Sequence, residues 1–305
     1  MAESRLVLYG AIAANVAIAA TKFVVAGVTG SSAMLSEGIH STVDAGNGVL
    51  LLVGVKLSKR KATPEHPFGH GKELYFWGLI VAVLIFGAGG GVSVYEGILH
   101  VMHPVPVRDA FWNYVVLGAA AVFEGASWTI ALRQFLADKG PAPFWSALHN
   151  SKDPTTYTVL AEDSAALAGL ATAAAGIYAS ERFGLPMLDG VASCVIGCLL
   201  GGVAILLIRE SRGLLIGEGV RAETAAAIRK LALETRGVRS AASPLSMYIG
   251  ANEVLLTLDI TFDPDASAAQ VAVAIRQLEQ SIRERYPMIK RIYIEAGSST
   301  SLAPL

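Results

Sequence analysis

Charged residues are scarce in this sequence, at 16% of 305 residues, whereas soluble domains usually carry about a quarter. Hydrophobic residues make up 53%, so the composition excludes an ordinary soluble domain and indicates an integral membrane protein. The net charge is only −1, which argues against a nucleic-acid partner. The two cysteines, Cys194 and Cys198, provide no disulfide framework. The sequence also has no P-loop or other nucleotide-binding signature.

Long apolar segments are abundant, and six of them reach the length of about 20 residues that a membrane-spanning helix requires. Lys and Arg concentrate in the second and fourth connections and after the sixth segment, so the positive-inside rule places both termini in the cytoplasm. Gly-rich FGAGGG in the third segment predicts close helix packing. The segments lie near Leu6–Val28, Ala33–Leu57, Leu74–Met102, Phe111–Leu136, Thr158–Ser180 and Leu188–Ile208.

The second apolar segment contains an unusual pair, His40 and Asp44. Residues four apart lie on one face of a helix, one above the other. An ionisable group in hydrocarbon costs about 3 kcal/mol on insertion scales unless it faces a cavity or a partner. Because an imidazole and a carboxylate at this spacing can bind one divalent cation, we predict a metal site here. Glu37, one turn earlier, can touch the ion or be solvated in a vestibule.

Two adjacent carboxylates, Glu162 and Asp163, lie just inside the fifth segment. Neighbouring residues diverge by about 100° on a helix, so one ion is not expected to bind both squarely. At least one of them facing His40 and Asp44 completes the predicted ligand set.

The connection after the second segment contains EHPFGHGK, with Glu65, His66 and His70 close together in a Pro- and Gly-rich turn. Pro67 and Gly69 disfavour a regular helix there. These three side chains can bind a metal weakly, or order the loop by hydrogen bonds. Both interpretations stay open.

After Gly213 the composition changes to a soluble αββαβ pattern. Residues 254–262 alternate apolar and polar, which predicts a strand with one buried face. Ala268–Arg285 shows helical spacing, and Pro287 follows its end. We therefore predict a membrane all-α six-helix bundle over residues 1–215 and a cytoplasmic α+β domain over 216–305.

Three motifs give the sequence a family resemblance: SEGIHSTVDAGN, HPFGHGKELYFWGL and LDGVASCVIGCLL. With the αββαβ domain, they resemble the cation diffusion facilitator family. SKDPTTYTVLAEDSAALAGL and FEGASW are most similar to its zinc transporter nine branch. The resemblance implies a homodimer in the lipid bilayer, a metallochaperone-like cytoplasmic domain, and exchange of Zn²⁺ for protons by alternating access.

The sequence departs from the family pattern in two places. The helix-two pair maps onto His40 and Asp44, but the helix-five pair His-x-x-x-Asp does not survive, because Val159 or Ala166 stands at one of its positions. Asp163 is the preferred ligand and Glu162 the alternative. With fewer imidazoles the site discriminates less for Zn²⁺, which leaves Mn²⁺, Fe²⁺ or Co²⁺ open. All six histidines precede the cytoplasmic domain, so the family's histidine zinc sites there are not expected, and dimerisation is its expected role.

The function expected from the sequence is therefore proton-coupled export of a divalent metal, with no enzymatic activity. An intramembrane metalloenzyme is disfavoured because no H-E-x-x-H motif is present. A membrane adaptor that keeps the fold but has lost transport is the alternative, since the helix-five pair is degraded. The Ala-rich sequence begins without an Arg- and Ser-rich presequence, which favours a bacterial plasma membrane.

Overall fold

The computed structural model describes the backbone of residues 2–138 and 154–297, and the side chains of 15–137 and 158–297. Each of the six predicted apolar segments lies within a long helix. Because these segments carry an almost unbroken supply of apolar residues, helices that satisfy their own backbone groups are the expected form in lipid. The helices are α1 (Ala2–Thr29), α2 (Ser32–Ser58), α3 (Glu73–Met102), α4 (Ala110–Asp138), α5 (Pro154–Phe183) and α6 (Met187–Ile216).

Three helices in the described part of the chain are long and apolar enough to cross a membrane by length and composition. Their mean hydropathies are 2.0 for Glu73–Met102, 1.7 for Ala110–Ala137 and 2.7 for Met187–Ile216. Helices α2 and α5 are of similar length but contain the ionisable residues discussed below. Large apolar side chains such as Phe111 and Val122 are exposed, as expected of surfaces that face lipid. That all six helices cross the membrane stays a prediction.

Helices α1 and α2 are joined by only two residues, Gly30 and Ser31. Gly30 has a φ of +73°, a left-handed conformation that glycine adopts without strain, and its N–H donates to Ala26 O. A connection this short makes α1 and α2 antiparallel neighbours.

Helices α3 and α6 pack with their backbones in close approach, as FGAGGG predicts. A Cβ atom on Gly97 would lie 2.6 Å from Cys194 Sγ and 2.7 Å from Gly190 O. A Cβ atom on Gly197 would lie 2.8 Å from Gly90 O. Helix α3 also contains a π-helical stretch, Ile85–Gly91, within this contact region. The two helices therefore have no room for side chains where they cross.

We expect Gly97→Ala to destabilise the protein by about 2 kcal/mol, because its methyl group meets backbone atoms that cannot rotate away. Thermal unfolding of the purified protein in detergent checks this. Gly118→Ala on α4 is the matched control, since a Cβ atom there has no neighbour within 4 Å. Equal unfolding temperatures for the two variants would contradict this account of the helix crossing.

The C-terminal region forms a small sheet with two helices. Its elements are α7 (Ala222–Glu234), β1 (Val238–Ala241), β2 (Leu245–Gly250), β3 (Glu253–Phe262), α8 (Ala268–Arg285) and β4 (Ile289–Gly297). Strand β3 is central: β4 pairs with it in parallel, and β1 and β2 both pair with it antiparallel. The alternating residues of β3 are buried as predicted, with Val254, Leu256, Leu258 and Ile260 all at 2% exposure or less.

The predicted order αββαβ misses strand β1. Val238 pairs with Phe262, and Leu245 pairs with Thr257, so β1 and β2 lie one after the other along β3. The sequence VRSA of β1 is too short to show a period of two. The observed order is therefore αβββαβ.

The chain divides into two compact units, one of Met1–Lys56 with Leu74–Arg212, the other of Leu57–Glu73 with Gly213–Leu305. The domain boundary after residue 215 stays a prediction. The second unit also includes the loop between α2 and α3, which the prediction assigned to the membrane domain. The transport and dimerisation roles of the two regions stay predictions.

Candidate metal site

Helix α2 carries a continuous polar stripe. Ser32, Ser36, His40, Asp44 and Asn47 follow one another at intervals of four, four, four and three residues, so they share one face. Ser36 and Asn47 have 0% exposure and His40 has 2%. The stripe therefore faces the interior of the helical region and not lipid, which is the condition for a site inside a membrane.

His40 and Asp44 are in direct contact on this stripe. His40 Nε2 lies 3.3 Å from Asp44 Oδ2, and the Asp44 side chain is 15% exposed. Neither imidazole nitrogen of His40 has a hydrogen-bond partner among the described residues, and neither does Asp44 Oδ1. With bonds of about 2.1 Å to a common zinc ion, two atoms at the observed 3.3 Å separation subtend an angle of about 104°, near the tetrahedral value. The pair can therefore bind one cation without moving far.

Glu162 of α5 faces the same stripe. Asn47 Nδ2 donates a 2.8 Å hydrogen bond to Glu162 Oε1, and Asn47 follows Asp44 by three residues. Glu162 is 9% exposed. Asn47 thus brings Glu162 to the face of α2 that carries His40 and Asp44, and a ligand set shared by the three side chains stays a prediction.

Asp163 points to a different neighbour. Its Oδ2 accepts a 2.8 Å hydrogen bond from Ser127 Oγ of α4, and the adjacent Ser164 Oγ accepts one of 3.0 Å from Trp128 Nε1. The two carboxylates diverge as the helical geometry predicts, Glu162 toward α2 and Asp163 toward α4. Within the described ranges, no three His, Cys, Asp or Glu side chains form a ready-made metal cluster. The ligand assignment of His40, Asp44, Asp163 and Glu162 therefore stays a prediction.

The loop residues are only partly brought together. The rings of His66 and His70 lie 4.6 Å apart between centroids, while Glu65 is exposed. The loop packs on the C-terminal sheet within the same unit: the centroid of the Phe68 ring lies 5.4 Å from Arg291 Cζ, and Gly71 packs directly against Ile249 O, where a Cβ atom would clash. A metal site at Glu65, His66 and His70 stays a prediction, and the contacts give the loop a packing role as well.

Sequence reasoning did not assign a role to Lys22. Its Nζ donates to Glu37 Oε2 at 2.9 Å and to Ser41 Oγ at 2.8 Å, with 1% exposure for Lys22 and 0% for Glu37. The sequence does contain a signal: Lys22 is a charged residue inside the first apolar segment, and a charge inside a membrane requires a partner.

Asp189 at the start of α6 also had no predicted role. It is fully buried and accepts hydrogen bonds from the backbone N–H groups of Ser32 and Ala33, and from Ser31 Oγ at 2.7 Å. Backbone N–H groups in the first turn of a helix have no acceptor within the helix. By accepting from two of them, Asp189 caps the helix that carries His40 and Asp44. His100 Nε2 of α3 lies 3.8 Å away.

Comparisons with known proteins identify the family of this chain. Residues 8–216 match the family described as the cation efflux transmembrane domain. The chain is 34% identical over 238 residues to the "Proton-coupled zinc antiporter SLC30A9, mitochondrial" of Xenopus laevis, covering 77% of this chain and 42% of that protein. It is 33% identical over 253 residues to Metal tolerance protein C4 of Arabidopsis thaliana, covering 82% and 55%.

A more distant relative aligns over nearly the whole chain. Magnetosome protein MamM of Paramagnetospirillum magneticum is 23% identical over 302 residues, which is 96% of this chain and 88% of that protein. The chain thus spans less than half of the SLC30A9 protein it matches and most of MamM. The predicted resemblance to the zinc transporter nine branch is confirmed, and the chain belongs to the cation diffusion facilitator family of membrane transporters.

Proposed function

We propose that this protein carries Zn²⁺ across a membrane in exchange for protons, by alternating access. The observation that supports this most is the buried His40–Asp44 pair, whose ligand atoms lie 3.3 Å apart, with the carboxylate of Glu162 held by Asn47 on the same face of α2. The relative whose printed name is proton-coupled zinc antiporter supports the choice of metal and counter-ion. The remaining predictions also belong to this proposal: six crossings, a homodimer, a metallochaperone-like cytoplasmic domain, and both termini in the cytoplasm.

Proton exchange follows from the chemistry of the ligands. A metal ion binds a neutral imidazole and ionised carboxylates, so its arrival displaces protons and the return of protons favours its release. Metal and protons compete for the same lone pairs on His40, Asp44 and Glu162. No separate energy source is needed when a proton gradient is present.

Purified protein in proteoliposomes tests the proposal. Zn²⁺ uptake, followed with a fluorescent indicator inside the vesicles, should require an imposed pH gradient and stop when an ionophore collapses it. Zn²⁺ movement that ignores the gradient would refute proton coupling, and no movement at all would refute transport. Parallel assays with Mn²⁺, Fe²⁺ and Co²⁺ test metal choice, since a site with one imidazole and several carboxylates is harder than a two-histidine site.

A transport-deficient adaptor is the second candidate. Two observations favour it. The family's helix-five pair, His-x-x-x-Asp, is absent from the fifth segment of the sequence, and the described residues contain no cluster of three metal ligands. An adaptor should show no Zn²⁺ binding at His40 by calorimetry, whereas the transporter should bind Zn²⁺ stoichiometrically.

The names of the relatives and the sequence itself favour different membranes for this protein. The SLC30A9 relatives are named as mitochondrial, and the sequence itself favours a bacterial plasma membrane. We propose the bacterial plasma membrane, which fractionation of cells producing the tagged protein from its native source would check.

We further propose that Glu162, rather than the sequence-preferred Asp163, completes the transport site. Glu162→Gln should weaken Zn²⁺ binding more than about 100-fold, above the range of about 10–100-fold for residues that only support ligands. Asp163→Asn should weaken it by about tenfold or less, the lower end of that range, because Asp163 contacts Ser127 of α4. Calorimetric titration of the two purified variants compares them directly, because both changes replace a carboxylate by its amide. If Asp163→Asn weakened Zn²⁺ binding more than Glu162→Gln, Asp163 would be the ligand, as the sequence suggested.

A further inference from the structure

A buried ion pair lies beside the proposed site and takes no part in the mechanism above. Lys22 Nζ of α1 donates to Glu37 Oε2 at 2.9 Å and to Ser41 Oγ at 2.8 Å. Exposure is 1% for Lys22 and 0% for Glu37. Removing both charges from water is costly, and an apolar pair of similar volume often stabilises a protein at least as well. Simple packing therefore does not explain why a cation lies here.

The pair is positioned against the His40 turn of α2. Glu37 precedes His40 by three residues and Ser41 follows it directly, so the ammonium group is held next to the turn that carries the imidazole. A fixed positive charge at this place opposes the arrival of a second cation.

Glu37 is incompletely paired. Its Oε1 has no hydrogen-bond partner among the described residues, although it is fully buried. This oxygen points at Gly169 of α5, where a Cβ atom would lie 2.5 Å from it. The carboxylate thus retains capacity for a cation other than Lys22, on the side of the helix that carries Glu162.

We propose that Lys22 is a resident cation that competes with the transported metal ion for the negative field of the site, and so lowers metal affinity and speeds release. The inference rests on the proposed function, since it concerns the same His40–Asp44 site. In the empty site, Lys22 compensates part of the acidic charge. When a divalent ion binds, repulsion from Lys22 keeps binding weak enough for the ion to leave.

Neutralising variants test the sign of this effect. Lys22→Gln should bind Zn²⁺ at least about tenfold more tightly than the unchanged protein and transport it more slowly. The estimate is conservative, because one charge acting on a divalent ion at an effective dielectric of about 20 changes binding by more than this even at about 10 Å. Glu37→Gln alone leaves Lys22 charged and should weaken Zn²⁺ binding by a similar factor. The double variant Lys22→Gln/Glu37→Gln should therefore bind Zn²⁺ at least about tenfold more tightly than Glu37→Gln, and close to the unchanged protein.

Calorimetry with Zn²⁺ on the full chain in nanodiscs gives the affinities, and proteoliposome uptake gives the rates. Lys22→Arg keeps the charge and should bind Zn²⁺ as the unchanged protein does. Thr21→Val is the matched control on α1, because the exposed Thr21 hydroxyl donates only to Ala17 O of its own helix.

The double variant decides the outcome even if Lys22→Gln alone fails to fold, since it leaves no buried unpaired charge. Comparison of the double variant with Glu37→Gln isolates the charge of Lys22: binding at least about tenfold tighter in the double variant supports the competition, and equal affinities of the two would overturn it. Should the double variant also fail to fold, the apolar pair Lys22→Met/Glu37→Leu replaces it in the same comparison, because apolar residues of similar volume often replace a buried ion pair without loss of stability. If the unchanged protein binds no Zn²⁺, the proposed function fails and not this inference alone.

Discussion

Zn²⁺ uptake by Asp44→Asn protein should fall at least about 100-fold relative to the unchanged protein. Residues that merely support metal ligands typically account for 10–100-fold in affinity or activity, so the loss of a direct ligand should reach or exceed the upper end of about 100-fold. Asparagine keeps the shape of the side chain and removes the charge that a divalent ion needs. Uptake into proteoliposomes with an imposed pH gradient measures the loss.

The same substitution should not destabilise the fold. Asp44 lies on the face of α2 to which Asn47 brings Glu162, so its charge is repelled by a second carboxylate. Removing one member of an acidic group should leave the thermal unfolding temperature equal or higher, a trade of stability for function that is common at active sites. Thr42→Val on the same helix is the control, because the exposed Thr42 hydroxyl donates only to Gly38 O. Uptake by Asp44→Asn at the control's rate would remove Asp44 from the transport site.

Elements set by short-range pattern were predictable from the sequence. The bounds predicted for α8, Ala268–Arg285, are the observed ones, because both ends are marked locally. Ser267 and Gln270 form a capping box at its start, and Pro287 follows its end. The apolar segments were equally plain, since lipid imposes a minimum length on each helix.

Features that depend on helix rotation or on distant partners could not be predicted. The spacing of Glu162 and Asp163 establishes that they diverge, but not which faces α2. That choice depends on Asn47, which is 115 residues away, and on Ser127 of α4. Lys22 and Asp189 were missed for the same reason: each is explained only by partners that the folded chain brings to it.

Asp189 illustrates how a residue outside the ligand set can position the site. It caps α2 from the first turn of α6, whereas His40 and Asp44 lie two and three turns further along α2. The position of the ligand pair along the bundle therefore depends on a contact that the pair does not touch. The strength of that contact can be measured separately from metal binding.

Asp189→Ala should destabilise the protein by about 3 kcal/mol, because it leaves buried donors of Ser31, Ser32 and Ala33 without an acceptor. For a domain of this size, that loss lowers the thermal unfolding temperature by roughly 6–12 °C. Asp189→Asn should lose about 1 kcal/mol or less, since asparagine caps helices nearly as well as aspartate. Ser193→Ala is a milder control, as it removes only the 2.7 Å contact between the Ser193 and Ser32 hydroxyls. If Asp189→Ala unfolds within a degree of the control, α2 is held in place by contacts other than its cap, namely those of Lys22 of α1 with Glu37 and Ser41 and that of Asn47 with Glu162 of α5.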